Sequence, residues 1–325
     1  MTSLGVIFHP SFPPETLADY ARRAEAGGFD ELWLWDDCFL PGALTSAAIA
    51  LSATRRLTLG IGLLPVKAYH PLFAAMEITT LARAFPGRLI VGFGHGVGSW
   101  MTQIGAASKS PLAALREIVT AVRALLAGEA MTMHGDYVNL ADVQMQLTAA
   151  DPPPLYIGAM REKTLRLAGQ IGDGTILPAM SSPAYVRWAR TCVDEEASPS
   201  GPRHRLAVFA HAKVSRDGAA ARAALRRALA SDFPWDEVQV AAAGLTDEVA
   251  DFVRERGAAA LETALPVAWV ESLAAAGTPQ QAAAALARLA EAGADSLVLQ
   301  PLNGDPDCLD EYIAHLLPLL APLRS

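Results

Sequence analysis

The chain has 325 residues, of which 52% are hydrophobic and 18% charged, a balance that excludes a disordered chain and demands a large buried core. Its 26 basic and 34 acidic residues give a net charge of −8, with no electrostatic footprint for nucleic acid or an anionic membrane surface. An anionic ligand must therefore be held locally, by a few Arg, Lys and backbone amides.

In chain order, short apolar and β-branched runs bounded by turn signals predict strands at Leu4–His9, Glu31–Asp36, Leu57–Leu64 and Arg88–Gly94. Four more follow at Leu155–Gly158, Gly174–Leu177, Leu206–Lys213 and Asp295–Gln300. Helical periodicity fills the intervals: Pro14–Ala26, Ala43–Ala53, Pro71–Ala84, Pro111–Ala127, Glu162–Ile171, Pro183–Glu196, Gly218–Ser231 with Asp236–Arg256, and Pro279–Ala292. A last helix, Asp307–Leu320, closes the chain. Several begin at or near proline, whose missing N–H is harmless in a first turn. Eight buried strands, each followed by a helix, predict an α/β fold, a (β/α)8 TIM barrel forming one domain over residues 1–325. The Ala-rich connection 216–278, between the seventh and eighth strands, reads as a helical insertion acting as a lid; the connection 128–153 is also long.

Cys38, Cys192 and Cys308 are odd in number and lack metal or disulfide spacing, so the expected compartment is a reducing cytoplasm and no metal site is expected. The start lacks a signal-peptide pattern. The uncharged stretch Leu89–Ser108 is too rich in glycine to read as a membrane helix.

Barrels of this kind place chemistry where the strands end at their carboxyl side. Those ends are polar or glycine-rich here: His9, Asp36-Asp37, Gly62-Leu63-Leu64, Gly94-His95-Gly96, Gly158-Ala159-Met160-Arg161 and His211. The alternating Gly92, Gly94, Gly96 and Gly98 do not match a dinucleotide fingerprint. They relieve crowding inside the barrel or admit a planar ligand close to the backbone, and the residues alone leave both readings open. Asp36 and Asp37 point to opposite faces of a strand, so only one of them is placed to meet a ligand, and the residues alone leave open a solvated turn or helix cap instead; a carboxyl buried in a closed cavity would be a proton donor or acceptor. Helix-start amides with Arg161, Lys163 and Arg166 form a candidate anion site, as against an ordinary solvated basic face. Trp100 is the candidate for stacking on a ligand, whereas Trp33, Trp35 and Trp188 read as core or cavity wall.

Taken in order, several segments resemble the luciferase-like monooxygenase superfamily of flavin- and coenzyme F420-dependent oxidoreductases. They are 24–33 (AEAGGFDELW), Trp35-Asp36-Asp37, Pro71 to Met76, 81–88 (LARAFPGR), 91–96 (VGFGHG), 154–159 (PLYIGA), 168–174 (AGQIGDG), 276–279 (AGTP) and Gly293-Ala294-Asp295. The resemblance implies a flavin-type ring at the barrel mouth beside Asp36, Gly62, Leu63, Leu64, Gly94, His95 and Gly96. It also implies a cofactor tail at Gly158, Ala159, Met160, Arg161 and Thr164. It points to hydride transfer between coenzyme F420 and a small organic substrate, and apolar faces on the lid and outer helices suggest a homodimer. The alternatives are an FMN-dependent monooxygenase of the same fold or a non-catalytic flavin-binding protein. Many deazaflavin members carry Asp-His where this chain has Asp36-Asp37, which moves the expected acid or base to Asp37, with His9 or His95 as helpers.

Overall fold

A computed structural model describes residues 1–232, 237–302 and 305–324. Eight parallel strands are joined edge to edge: β1 (Ser3–Phe8), β2 (Glu31–Leu34), β3 (Thr58–Pro65), β4 (Leu89–Gly94), β5 (Leu155–Gly158), β6 (Gly174–Leu177), β7 (Arg205–Val214) and β8 (Ser296–Gln300). β8 pairs back to β1, Leu4 opposite Leu297, and this closes the barrel as the sequence predicts. Alternation along the strands divides the core in two. Ile7, Trp33, Ile90, Tyr156, Ile176, Phe209 and Val298 fill the interior. Their neighbours Val6, Leu32, Leu59, Val91 and Leu299 face the surrounding helices.

The helices Ala43–Ala53, Pro71–Ala84 and Glu162–Ile171 have the predicted bounds. Local chemistry fixes others: Ser182 caps Pro183–Asp194, and Thr278 with Gln281 forms a capping box on Pro279–Glu291. Several details differ from the sequence reading, among them a short helix, Gly98–Gln103, after β4 and the end of β2 at Leu34 rather than Asp36. The connection 128–153 holds an antiparallel hairpin, Met131–His134 with Asn139–Val143, whose turn amides at Asp136, Tyr137 and Val138 donate to the Glu117 carboxylate. Two helices, Glu237–Ala242 and Thr246–Arg256, replace the expected continuous one, because Gly244 adopts φ +75° and ends the first; Asp236 lies outside the described residues. The last helix widens into a π turn at Tyr312–Leu316, just before Pro318, which has no N–H to continue the ladder.

Between β7 and β8 the described helices Gly218–Asp232, Glu237–Ala242, Thr246–Arg256, Leu261–Ala264 and Val267–Leu273 share a second apolar cluster built on Leu225, Leu229, Leu265, Trp269 and Val270. Met180, from the turn after β6, is buried in it, and Gln239 donates to the Ala179 carbonyl. Among the described residues, no helix is long and apolar enough to cross a membrane.

Candidate active site

The carboxyl ends of the strands open into a cavity of about 600 Å³. Its wall takes Trp35, Asp36 and Asp37 from the end of β2, Gly62, Leu63 and Pro65 from β3, and His95, Gly96, Val97 and Trp100 beyond β4. The turn Gly158–Arg161 and Thr164 follow from β5, Ile176, Pro178 and Ala179 from β6, Phe209 from β7 and Gln300 from β8.

The two aspartates divide their tasks. Asp36 accepts the Ala43 N–H at 2.8 Å through one oxygen and the Tyr69 hydroxyl at 2.7 Å through the other. It therefore ties the end of β2 to the next helix and to the loop after β3. Among the described residues no side-chain or backbone donor bonds the Asp37 carboxyl, which is half-buried. Burial, with a smaller push from the Asp36 charge, raises its pKa to about 6.

His95 lines the cavity, with Nε2 3.3 Å from the Thr164 hydroxyl and its Nδ1 buried. Burial lowers its pKa, the Pro111 backbone opposing. His9 lies behind the wall. Its Nδ1 accepts the Ser11 N–H at 3.2 Å and lies 2.6 Å from the Ser11 hydroxyl, while its ring meets Trp35 edge-on at 5.1 Å. Burial lowers its pKa to about 4, so it is neutral at pH 7.

Other sequence-predicted positions fall into place unevenly. Gly62, Leu63, Gly96, Gly158, Ala159, Met160, Arg161 and Thr164 share the cavity wall. Leu64 is fully buried and Gly94 lies under Leu63, so neither reaches the wall. The β3 register shifts between Ile61 and Leu64, and this bulge sends the Leu63 side chain across to β4 and β5. A Cβ on Gly94 or Gly158 would meet Leu63 at 2.4 and 2.1 Å, and one on Gly92 would meet Ile176 and the Ile61 carbonyl. The alternating glycines thus make room for protein side chains, and the open space lies at Gly98. In the basic cluster Arg161 lies on the wall, directly before the first turn of Glu162–Ile171. Arg166 turns away to Glu162, Glu195 and Glu196, and Lys163 is exposed off the wall.

Trp100 is on the wall as expected, with Phe39 edge-on to it at 6.3 Å; Trp33 is core and Trp188 packs on Tyr185. Phe209 and Ile176 escaped the sequence reading because a strand residue facing a cavity looks like one facing the core. Gln300 carried a usable signal, a polar residue ending an apolar strand. His211, its register partner on β7, is buried and off the wall.

The luciferase-like monooxygenase family model matches residues 3–296. A 5,10-methylenetetrahydromethanopterin reductase of Methanolobus tindarius is 30% identical over 225 residues, 68% of this chain and 68% of that protein. An F420-dependent glucose-6-phosphate dehydrogenase of Nakamurella multipartita is 34% identical over 185 residues; the match covers 53% of this chain and 55%, about half, of that protein's length. Among solved structures, coenzyme F420 dependent tetrahydromethanopterin reductase from Methanopyrus kandleri superposes with a TM-score of 0.85 at 21% identity, covering 98% of this chain and 99% of the other. An F420-dependent secondary alcohol dehydrogenase gives 0.78 at 22% identity over 98% and 99%. At these identities the two superpositions establish the barrel alone.

Proposed function

The chain belongs to the luciferase-like monooxygenase family, and from that premise we propose that it is a coenzyme F420-dependent oxidoreductase acting on a small organic substrate. The observation that carries the reading is that one cavity joins the half-buried Asp37 carboxyl to the start of the Glu162–Ile171 helix. The residues present fit a large ring with an anionic tail. The wall is mostly apolar, and among the described residues the buried Trp35 Nε1 has no hydrogen-bond partner. When bound, the deazaflavin supplies or accepts the hydride.

The protein's own part follows from its geometry. Leu63, Ile176 and Phe209 give the ring an apolar bed. Arg161 and the opening amides of the helix it precedes hold the tail, as helix starts hold anions. Asp37 moves the proton at its carboxyl oxygen. His95 binds the cofactor through a neutral ring, and His9 positions Trp35 from behind. The helices of 218–273 act as a lid, a reading supported by their grip on Met180 and on the Ala179 carbonyl, next to the wall. A homodimer is supported by the exposed Ile49, Phe73 and Met76 on two helices in mutual contact, and a cytoplasmic location by three free cysteines.

Titration with F420 and with FMN tests the cofactor. F420 is expected to bind more tightly, and Arg161→Ala to weaken it about tenfold. Tight FMN binding with FMNH2-dependent oxygen uptake and no F420 affinity would replace this reading with the monooxygenase one.

A further inference from the structure

The cavity wall is poor in positive charge. Arg161 is its one Lys or Arg among the described residues, and it sits where the cofactor tail is placed above. The nearby cations are engaged elsewhere. Lys213, at the end of β7, donates to Glu311 at 2.7 Å and to Asp305 at 3.1 Å. Arg222 lies 3.5 Å from Glu271 and donates to Gln281. Lys67 is not on this wall; it lines a smaller adjoining cavity that shares His95 and Gly96 with it, and its ammonium sits over the Tyr137 ring at 5.2 Å. On the wall itself two aspartates face the ligand space. A second anionic group entering beside the cofactor would lose water without gaining a cation.

We propose that the substrate is an uncharged, largely apolar compound with a single oxygen function, and that carboxylate- and phosphate-bearing substrates are excluded by the charge of the wall. This rests on the cavity being the cofactor and substrate site. It separates the chain from relatives named for glucose 6-phosphate, whose substrate carries a phosphate. The polar groups left for the substrate are Asp37 and Gln300, enough to hold one hydroxyl or carbonyl. Trp100 and Phe209 supply the apolar contact.

Calorimetric titration of the F420-loaded chain with matched probes decides the matter. Cyclohexanone and acetophenone are expected to bind at least tenfold more tightly than 4-oxocyclohexanecarboxylate and 4-acetylbenzoate, with glucose 6-phosphate weakest. Carboxylates binding as tightly as the ketones would overturn the proposal, as would failure of both ketones to bind. Val97→Lys, which puts a cation on the partly exposed edge of the wall, is expected to narrow the gap to about threefold. An unchanged gap in that variant would show that wall charge is not the cause. If F420 itself does not bind, the cofactor reading falls, and the same titrations on the unloaded chain still decide the charge preference.

Discussion

At the scale of the residue, the adjacent carboxyls Asp36 and Asp37 behave as different groups because only one has donors. Asp37→Asn is expected to lower turnover about 10²- to 10⁴-fold, the usual reach of a positioned acid or base. With Asp37 as the proposed acid or base, its pKa of about 6 is expected to set the pH dependence. Reduction of the substrate needs the protonated acid, so its rate falls as pH rises through about 6; oxidation needs the carboxylate and rises through the same value. Stability moves with reduction: a carboxyl whose folded pKa lies above its unfolded value favours folding below the unfolded value, and that contribution is lost as pH rises to about 6. Asp37→Asn is therefore expected to raise Tm at pH 8 while lowering turnover, and an unchanged or lower Tm there would contradict the assignment of burial as the cause. The Asp-Asp pair was legible in the sequence as a candidate. Which member was free was not, since that depended on Tyr69 and Ala43, 33 and 7 residues away along the chain.

At the scale of the element, the bulged end of β3, Gly94 of β4 and Gly158 of β5 form one device: Leu63 occupies the space those two glycines leave. Gly94→Ala is expected to drive Leu63 into the cavity and weaken F420 binding about tenfold, and adding Leu63→Ala to restore most of it. Additive losses in this double-mutant cycle would mean that the two positions act separately. Strand positions were readable because buried parallel strands are continuous apolar runs with clear ends. The hairpin 131–143 was not, because its alternation is short and its anchor, Glu117, lies on the preceding helix. The glycine series fitted two explanations in sequence, and only the register shift in β3 distinguishes them.

At the scale of the whole molecule, the eight-strand count was legible from periodicity, whereas the surface it presents to other chains was not. Exposed apolar residues on Ala43–Ala53 and Pro71–Ala84 are expected to pair two copies, so Phe73→Glu should shift light-scattering mass from dimer to monomer. A wild-type monomer at micromolar concentration would remove that expectation. Lys213, held by Asp305 and Glu311, fastens the segment after β8 to β7. Replacing Lys213 by Met leaves two carboxylates together and is expected to lower Tm by several degrees.

The pairing of β8 with β1 brings together residues nearly 300 positions apart, Leu4 beside Leu297. During synthesis the first strand therefore waits with one edge bare until almost all of the chain has emerged from the ribosome, and long-range closure of this kind is slow and prone to aggregation. A chain ending at residue 290 should accumulate as insoluble or chaperone-bound material, and adding residues 291–324 as a separate peptide should recover soluble barrel. The eighth strand of the barrel is thus the one that renders the first safe from its neighbours.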